Sequence, residues 1–95
     1  MIMTIRKMSL EEIRHQHFST EDVLLTSQEK NARHHKLQSA MALTNAQHEP
    51  VWLHVQLADG QMAEIYSILI DLEDDYVELH GGLGIPLRAI SDVGV

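Results

Sequence analysis

Hydrophobic positions along the chain change period near residue 50. Before it, apolar residues recur at spacings of three and four: Leu10, Ile13 and His17 share one face, and Leu37, Ala40, Met41 and Thr44 share another. After it, Val51, Leu53, Val55 and Leu57 alternate with Trp52, His54 and Gln56, the two-residue period of a half-buried strand. The first half therefore predicts helices and the second half a small β-unit.

Local signals place the elements. Ser9-Leu10-Glu11-Glu12 is a capping box, with Ser9 as cap and Glu12 reaching back, so a short helix is expected from Leu10 to His17. Ser19-Thr20-Glu21-Asp22 resembles a second helix start, and Val23-Leu24-Leu25 fits either a helix or an extended connection. Thr26 and Glu29 form a third box. They open a long helix to Leu43, polar all round over Gln28 to Lys36, with Asn45 as a left-handed cap and Pro50 barring continuation.

Asp59-Gly60 supplies a tight turn after the first strand. Residues 61–70 read as the returning strand. They are apolar in both phases at their end, which predicts a strong bend or bulge. Tyr76 to His80, Gly84 to Leu87 and Ser91 to Val95 complete the set, with one helical turn over Arg88-Ala89-Ile90. The expected architecture is a single α+β domain over residues 1–95. N-terminal helices (1–50) precede a small five-stranded, strongly bent antiparallel β-barrel (51–95), closed because bent strands serve two sheets.

Composition narrows the chemistry. The 95 residues suit one core. The absence of cysteine removes disulfides and thiolate metal sites. No run approaches the roughly 20 apolar residues of a membrane span, and Met1 to Met8 is too short and mixed for a signal peptide, so no membrane contact and a cytoplasmic location are expected. The net charge of −7 is carried by one half. Residues 1–50 hold six cations and six anions, whereas residues 51–95 hold eight anions and only Arg88. An acidic β-half repels phosphate, so direct nucleic-acid binding is disfavoured and a protein partner fits better.

Two resemblances rest on particular residues. Ala40-Met41-Ala42-Leu43-Thr44-Asn45, Tyr76-Val77-Glu78-Leu79-His80-Gly81 and Ile85-Pro86-Leu87-Arg88-Ala89-Ile90-Ser91-Asp92-Val93 resemble the signature segments of a group of small bacterial proteins to which no function is assigned. That resemblance covers residues 36–95 and implies an SH3-like or Sm-like barrel without an activity. Val55-Gln56-Leu57-Ala58-Asp59-Gly60 and Leu79-His80-Gly81 are also similar to the two Sm motifs. Glu73, Asp74 and Asp75 stand where Sm proteins place a base-binding asparagine, and His80 stands in place of the second motif's arginine. The resemblance thus implies the barrel and not the RNA contacts.

Candidate chemistry is sparse. Seven histidines include no pair at i and i+4, so no metal site is predicted within one chain; a histidine site shared between chains stays open. Asp71 to Asp75 begins like a calcium loop, but Tyr76 and Gly82 occupy the sixth and twelfth positions, where glycine and glutamate are needed. Gly81-Gly82-Leu83-Gly84 lacks the lysine and helix of a phosphate cradle. No nucleophile sits in a catalytic context, so no enzyme activity and no cofactor are expected.

Two clusters remain. Lys30, Arg33 and His34 share a helix face that could touch phosphate. Trp52, His54, Tyr76 and His80 point away from the buried phase of their strands and could form one interaction surface, or else be covered by the helices as a second core. The expected function is a non-enzymatic protein-interaction or self-associating module, a homo-oligomer or partner of another protein. An Sm-like RNA binder and a histidine-dependent metal or small-ligand binder are the alternatives.

Overall fold

A computed structural model describes residues 4–95. Its elements run β1 (Ile5–Lys7), α1 (Leu10–Arg14), α2 (Ser27–Gln47), β2 (Val51–Gln56), β3 (Met62–Ser67), β4 (Leu69–Leu72), β5 (Tyr76–Leu79), β6 (Gly84–Pro86), a 3-10 turn (Leu87–Ala89) and β7 (Ile90–Gly94). The strands form two sheets, one ordered β1-β3-β2-β7 and the other β4-β5-β6.

Both predicted capping boxes form. Ser9 accepts from the Glu12 amide and Thr26 from the Glu29 amide, while each glutamate returns a contact to its cap residue's amide. These bonds satisfy donors that an uncapped helix would leave free. Helix α2 overruns the expected end. Asn45 stays helical, and His48 takes the left-handed cap at φ 56°, its amide bonded to the Thr44 carbonyl at 2.8 Å.

The alternation over β2 buries Val51, Leu53, Val55 and Leu57 against Ala63 and Ile65 of β3, and Leu69, Val77, Leu79, Ile85 and Ile90 face them from the rest of the chain. Ile13 of α1 and Leu37 and Ala40 of α2 close the same core, so one cluster joins both halves of the sequence. Each such aliphatic side chain contributes about 1.5–3 kcal/mol by leaving water.

The expected closed five-stranded barrel preceded by helices does not form. Seven strands make two separate sheets, with no hydrogen-bonded strand pair joining them into a ring among the described residues. The long strand expected over residues 61–70 is interrupted at Ile68, so β3 pairs into one sheet and β4 into the other. Thr44, fully buried on α2, holds this joint by sharing its hydroxyl between the Met41 and Leu69 carbonyls.

Closure would require β6 to meet β7, and side chains already occupy the outer edge of β7. Arg33 donates to the Ile90 carbonyl at 3.1 Å, and the Asp92 carboxylate accepts the Val93 amide at 2.9 Å. Such blocking is a common way of protecting an edge strand. At β6, Pro86 has no amide to donate.

Residues 1–50 are likewise not purely helical. β1 runs parallel to β3 with Ile5 opposite Met62 and Lys7 opposite Glu64, and only α1 and α2 are helices. The segment from His15 to Thr26 contains no helix. It crosses the molecule as a strap, bridged at Phe18 to Leu57.

Candidate functional site

The four residues expected to form one interaction surface lie on two different sheets. Trp52 and His54 point outward from β2 in the four-stranded sheet. Tyr76 points outward from β5 in the three-stranded sheet, and His80 is exposed just beyond that strand's end. Helix α2 packs chiefly against β4 and β7, and Tyr76 stays exposed while Trp52 and His54 are half-buried.

On the four-stranded sheet the outward side chains already have partners within the chain. Trp52 and His54 stack with ring centroids 4.3 Å apart. Trp52 also lies over Gly94, its cross-strand neighbour on β7, so closely that a side chain on Gly94 would overlap the indole. His54 stands opposite both Glu64 and Asp92 in register, with Nε2 3.7 Å from a Glu64 carboxylate oxygen. Lys7 sits 5.7 Å from the centre of the Tyr66 ring, a cation–π placement, and Lys36 pairs with Asp92 at 3.0 Å. Each carboxylate of this face therefore has a basic side chain beside it, Lys7 opposite Glu64 and Lys36 at Asp92, with the His54 ring between the two carboxylates.

The three-stranded sheet presents a different face. Asp71 stands opposite Glu78, Glu78 opposite Gly84, and Tyr76 opposite Pro86. The Glu73 amide donates to the Tyr76 carbonyl at 2.9 Å, which places a further carboxylate beside the ring. Ile70 occupies a bulge between Leu69 and Asp71 and is 45% exposed; Tyr76 is 39% exposed. Gly84 leaves room for the Tyr76 ring, whose Cδ2 lies 3.4 Å from where a Cβ would sit.

Crowding of like charge shows in the titration of this face. Glu73 is held above its ordinary range, first by its hydrogen bond with Asp71 and then by that group's charge. Tyr76 is raised as well, first by loss of hydration and then by Glu73, Asp71, Glu78 and Asp75. No basic side chain forms an ion pair with Asp71, Glu73, Asp74, Asp75 or Glu78 among the described residues.

Of the three residues expected to contact phosphate, Arg33 is otherwise engaged. Its side chain is 7% exposed and grips Asp22 through two bonds of 2.9 and 2.8 Å, with a third to the Ile90 carbonyl. Lys30 is exposed and His34 half-buried on the same helix. Arg33 bonds hold Asp22 below the ordinary aspartate range, opposed by burial and aided by the Leu24 amide. The strap is fixed again by Arg88, which donates from Nε to the Ser19 carbonyl at 2.8 Å and accepts the Val23 amide at its own carbonyl.

No group of three or more histidine, aspartate or glutamate side chains lies close enough to hold a metal ion among the described residues. His15 meets only Glu11, at 3.4 Å on the surface of α1. Every buried side-chain nitrogen and oxygen there has a hydrogen-bond partner. A groove of about 360 Å³ between α2 and the end of β7 is lined by Ala40, Leu43, Val93 and Val95 together with His35 and Lys36. No described helix is long and apolar enough to cross a membrane.

Alternation already set Glu78 outward with Tyr76; sequence reasoning missed Ile70 and Asp71 as their companions. The signal was present: Asp71 and Glu73 share the outward phase of Tyr76 and Glu78 once the β4–β5 turn is centred between Asp74 and Asp75. No protein-family model, curated protein or solved structure matches the chain.

Proposed function

We propose that this chain is a non-enzymatic protein-interaction module whose contact surface is the outer face of the three-stranded sheet. The observation that supports this reading is the pair Ile70 and Tyr76, two large apolar side chains kept exposed on the three-stranded sheet. Aromatic and aliphatic anchors on a preformed face are the usual centre of a protein contact. The face of the four-stranded sheet is a weaker candidate, since Trp52, His54 and Tyr66 spend their contacts on Gly94, Glu64 and Lys7.

A photo-crosslinking amino acid placed at position 70 in living cells tests the reading, with position 38 on the exposed side of α2 as control. Discrete adducts to another protein or to a second copy are expected from position 70 and not from position 38. Absence of adducts from position 70, with a monomeric mass at about 1 mM, where even a weak contact of roughly 4 kcal/mol populates a complex, would remove it.

A further inference from the structure

Resting on that interaction reading, we infer that the partner presents a Lys- or Arg-rich segment to the face formed by Ile70, Asp71, Glu73, Tyr76, Glu78 and Pro86. Three features of the structure converge on a cationic, partly apolar occupant.

The first is charge. Residues 51–95 carry eight anions and one cation, and Arg88 is committed to the strap through the Ser19 carbonyl. Five of the anions, Asp71, Glu73, Asp74, Asp75 and Glu78, form no ion pair among the described residues, although Arg88 and Arg33 line one hollow with Asp74 and Asp75. The second is arrangement. Asp71 on β4 and Glu73 in the turn that follows it flank the aromatic strand from one side, and Glu78 stands two residues beyond Tyr76 on β5 itself. An ammonium or guanidinium lying over the ring would gain a cation–π contact and a charge-assisted hydrogen bond together. The ring lies beside Gly84, whose missing side chain leaves Tyr76 39% exposed on that face.

The third is the contrast in sign pattern. On the other sheet Lys7 stands opposite Glu64 and Lys36 of α2 pairs with Asp92, whereas here Asp71 faces Glu78 directly, an arrangement that costs stability unless something cationic relieves it. A second copy does not supply that relief through the same face, because a two-fold contact would set these carboxylates against their own copies. Ile70 and Pro86 add an apolar floor, so the fitting segment alternates basic and aliphatic residues.

The test is titration of the ¹⁵N-labelled chain with the nonapeptide (Lys-Leu-Lys)₃, with (Glu-Leu-Glu)₃ and spermine in parallel. Amide shifts should be confined to Ile70–Tyr76, Glu78, Gly84 and Ile85, and affinity should fall at least tenfold between about 50 and 300 mM salt. Tyr76→Ala should weaken binding about tenfold, the scale of one cation–π contact with its desolvation, while Tyr76→Phe, which keeps the ring, should retain it. Glu78→Gln, a surface change that leaves the fold intact, should weaken binding several-fold, and Glu49→Gln should leave it unchanged.

Shifts spread evenly over the surface, equal affinity for spermine and the basic peptide, or binding of the acidic peptide would each overturn the inference. If crosslinks form from position 70 while the basic peptide fails to bind, the interaction reading stands and the basic partner chemistry is refuted.

Discussion

The outer faces of the two sheets carry similar residue types and put them to opposite uses. On the four-stranded sheet, Trp52 rests on Gly94 and His54, and the carboxylates of Glu64 and Asp92 have Lys7 and Lys36 beside them. On the three-stranded sheet, Tyr76 rests on a glycine too, but its neighbours are carboxylates of one sign facing each other. The difference teaches that an exposed aromatic is not by itself a binding residue. What separates the faces is whether outward groups find complementary partners within the chain, and only the second face leaves that demand unmet.

The sharpest way to break this comparison is to remove the frame on which both faces hang. Arg33 ties the strap, α2 and β7 together through Asp22 and the Ile90 carbonyl. Arg33→Ala leaves a partly buried carboxylate unpaired, and chemical denaturation should show a loss of about 3–5 kcal/mol. The same clasp fixes an acid response. Because the folded state holds Asp22 below its ordinary value near 3.8, its contribution is present at neutral pH and is lost as pH falls through the lowered range. Asp22→Asn should be less stable than the parent at pH 7 and converge with it in strong acid.

Next in size is the structural role assigned to Trp52. Gly94→Ala forces the indole off β7 and should cost about 1–3 kcal/mol, with a red shift of tryptophan fluorescence as the ring meets water. An unchanged spectrum would mean that Trp52 is not held as described. The smallest effect is expected on the acidic face. Glu73→Gln should raise the melting temperature at pH 7 by about 1–3 °C. The sign follows from the raised pKa of Glu73: its favourable contribution exists while a proton is held and disappears as pH rises through that value. The gain should vanish near pH 4.

Much of this was written in short-range patterns. The Val51–Leu57 alternation, the two capping boxes and the Asp59-Gly60 turn each need only a few neighbouring residues, and each formed as expected. The failures involve groups far apart in sequence. The polar first half of α2 looked solvated because the partners that bury Arg33 lie 11 and 57 residues away. That same side chain bonds the Ile90 carbonyl of β7, a contact that no local pattern announces. β1 is three exposed residues with no periodicity, placed only by its register on β3.

The site was half legible for a related reason. Alternation says that Trp52, His54 and Tyr76 point outward, and it cannot say from which sheet. The break at Ile68 divides them, and it was visible only as a strand apolar in both phases.

The central claim is that the three-stranded face binds and the four-stranded face stabilises. Its most direct test is the affinity of Trp52→Ala and Tyr76→Ala for (Lys-Leu-Lys)₃, measured side by side and corrected for the folded fraction of each. The account predicts that Tyr76→Ala loses about tenfold in affinity, while Trp52→Ala, though less stable by about 2 kcal/mol, binds within twofold of the parent. Loss of binding in Trp52→Ala with Tyr76→Ala unaffected would contradict it.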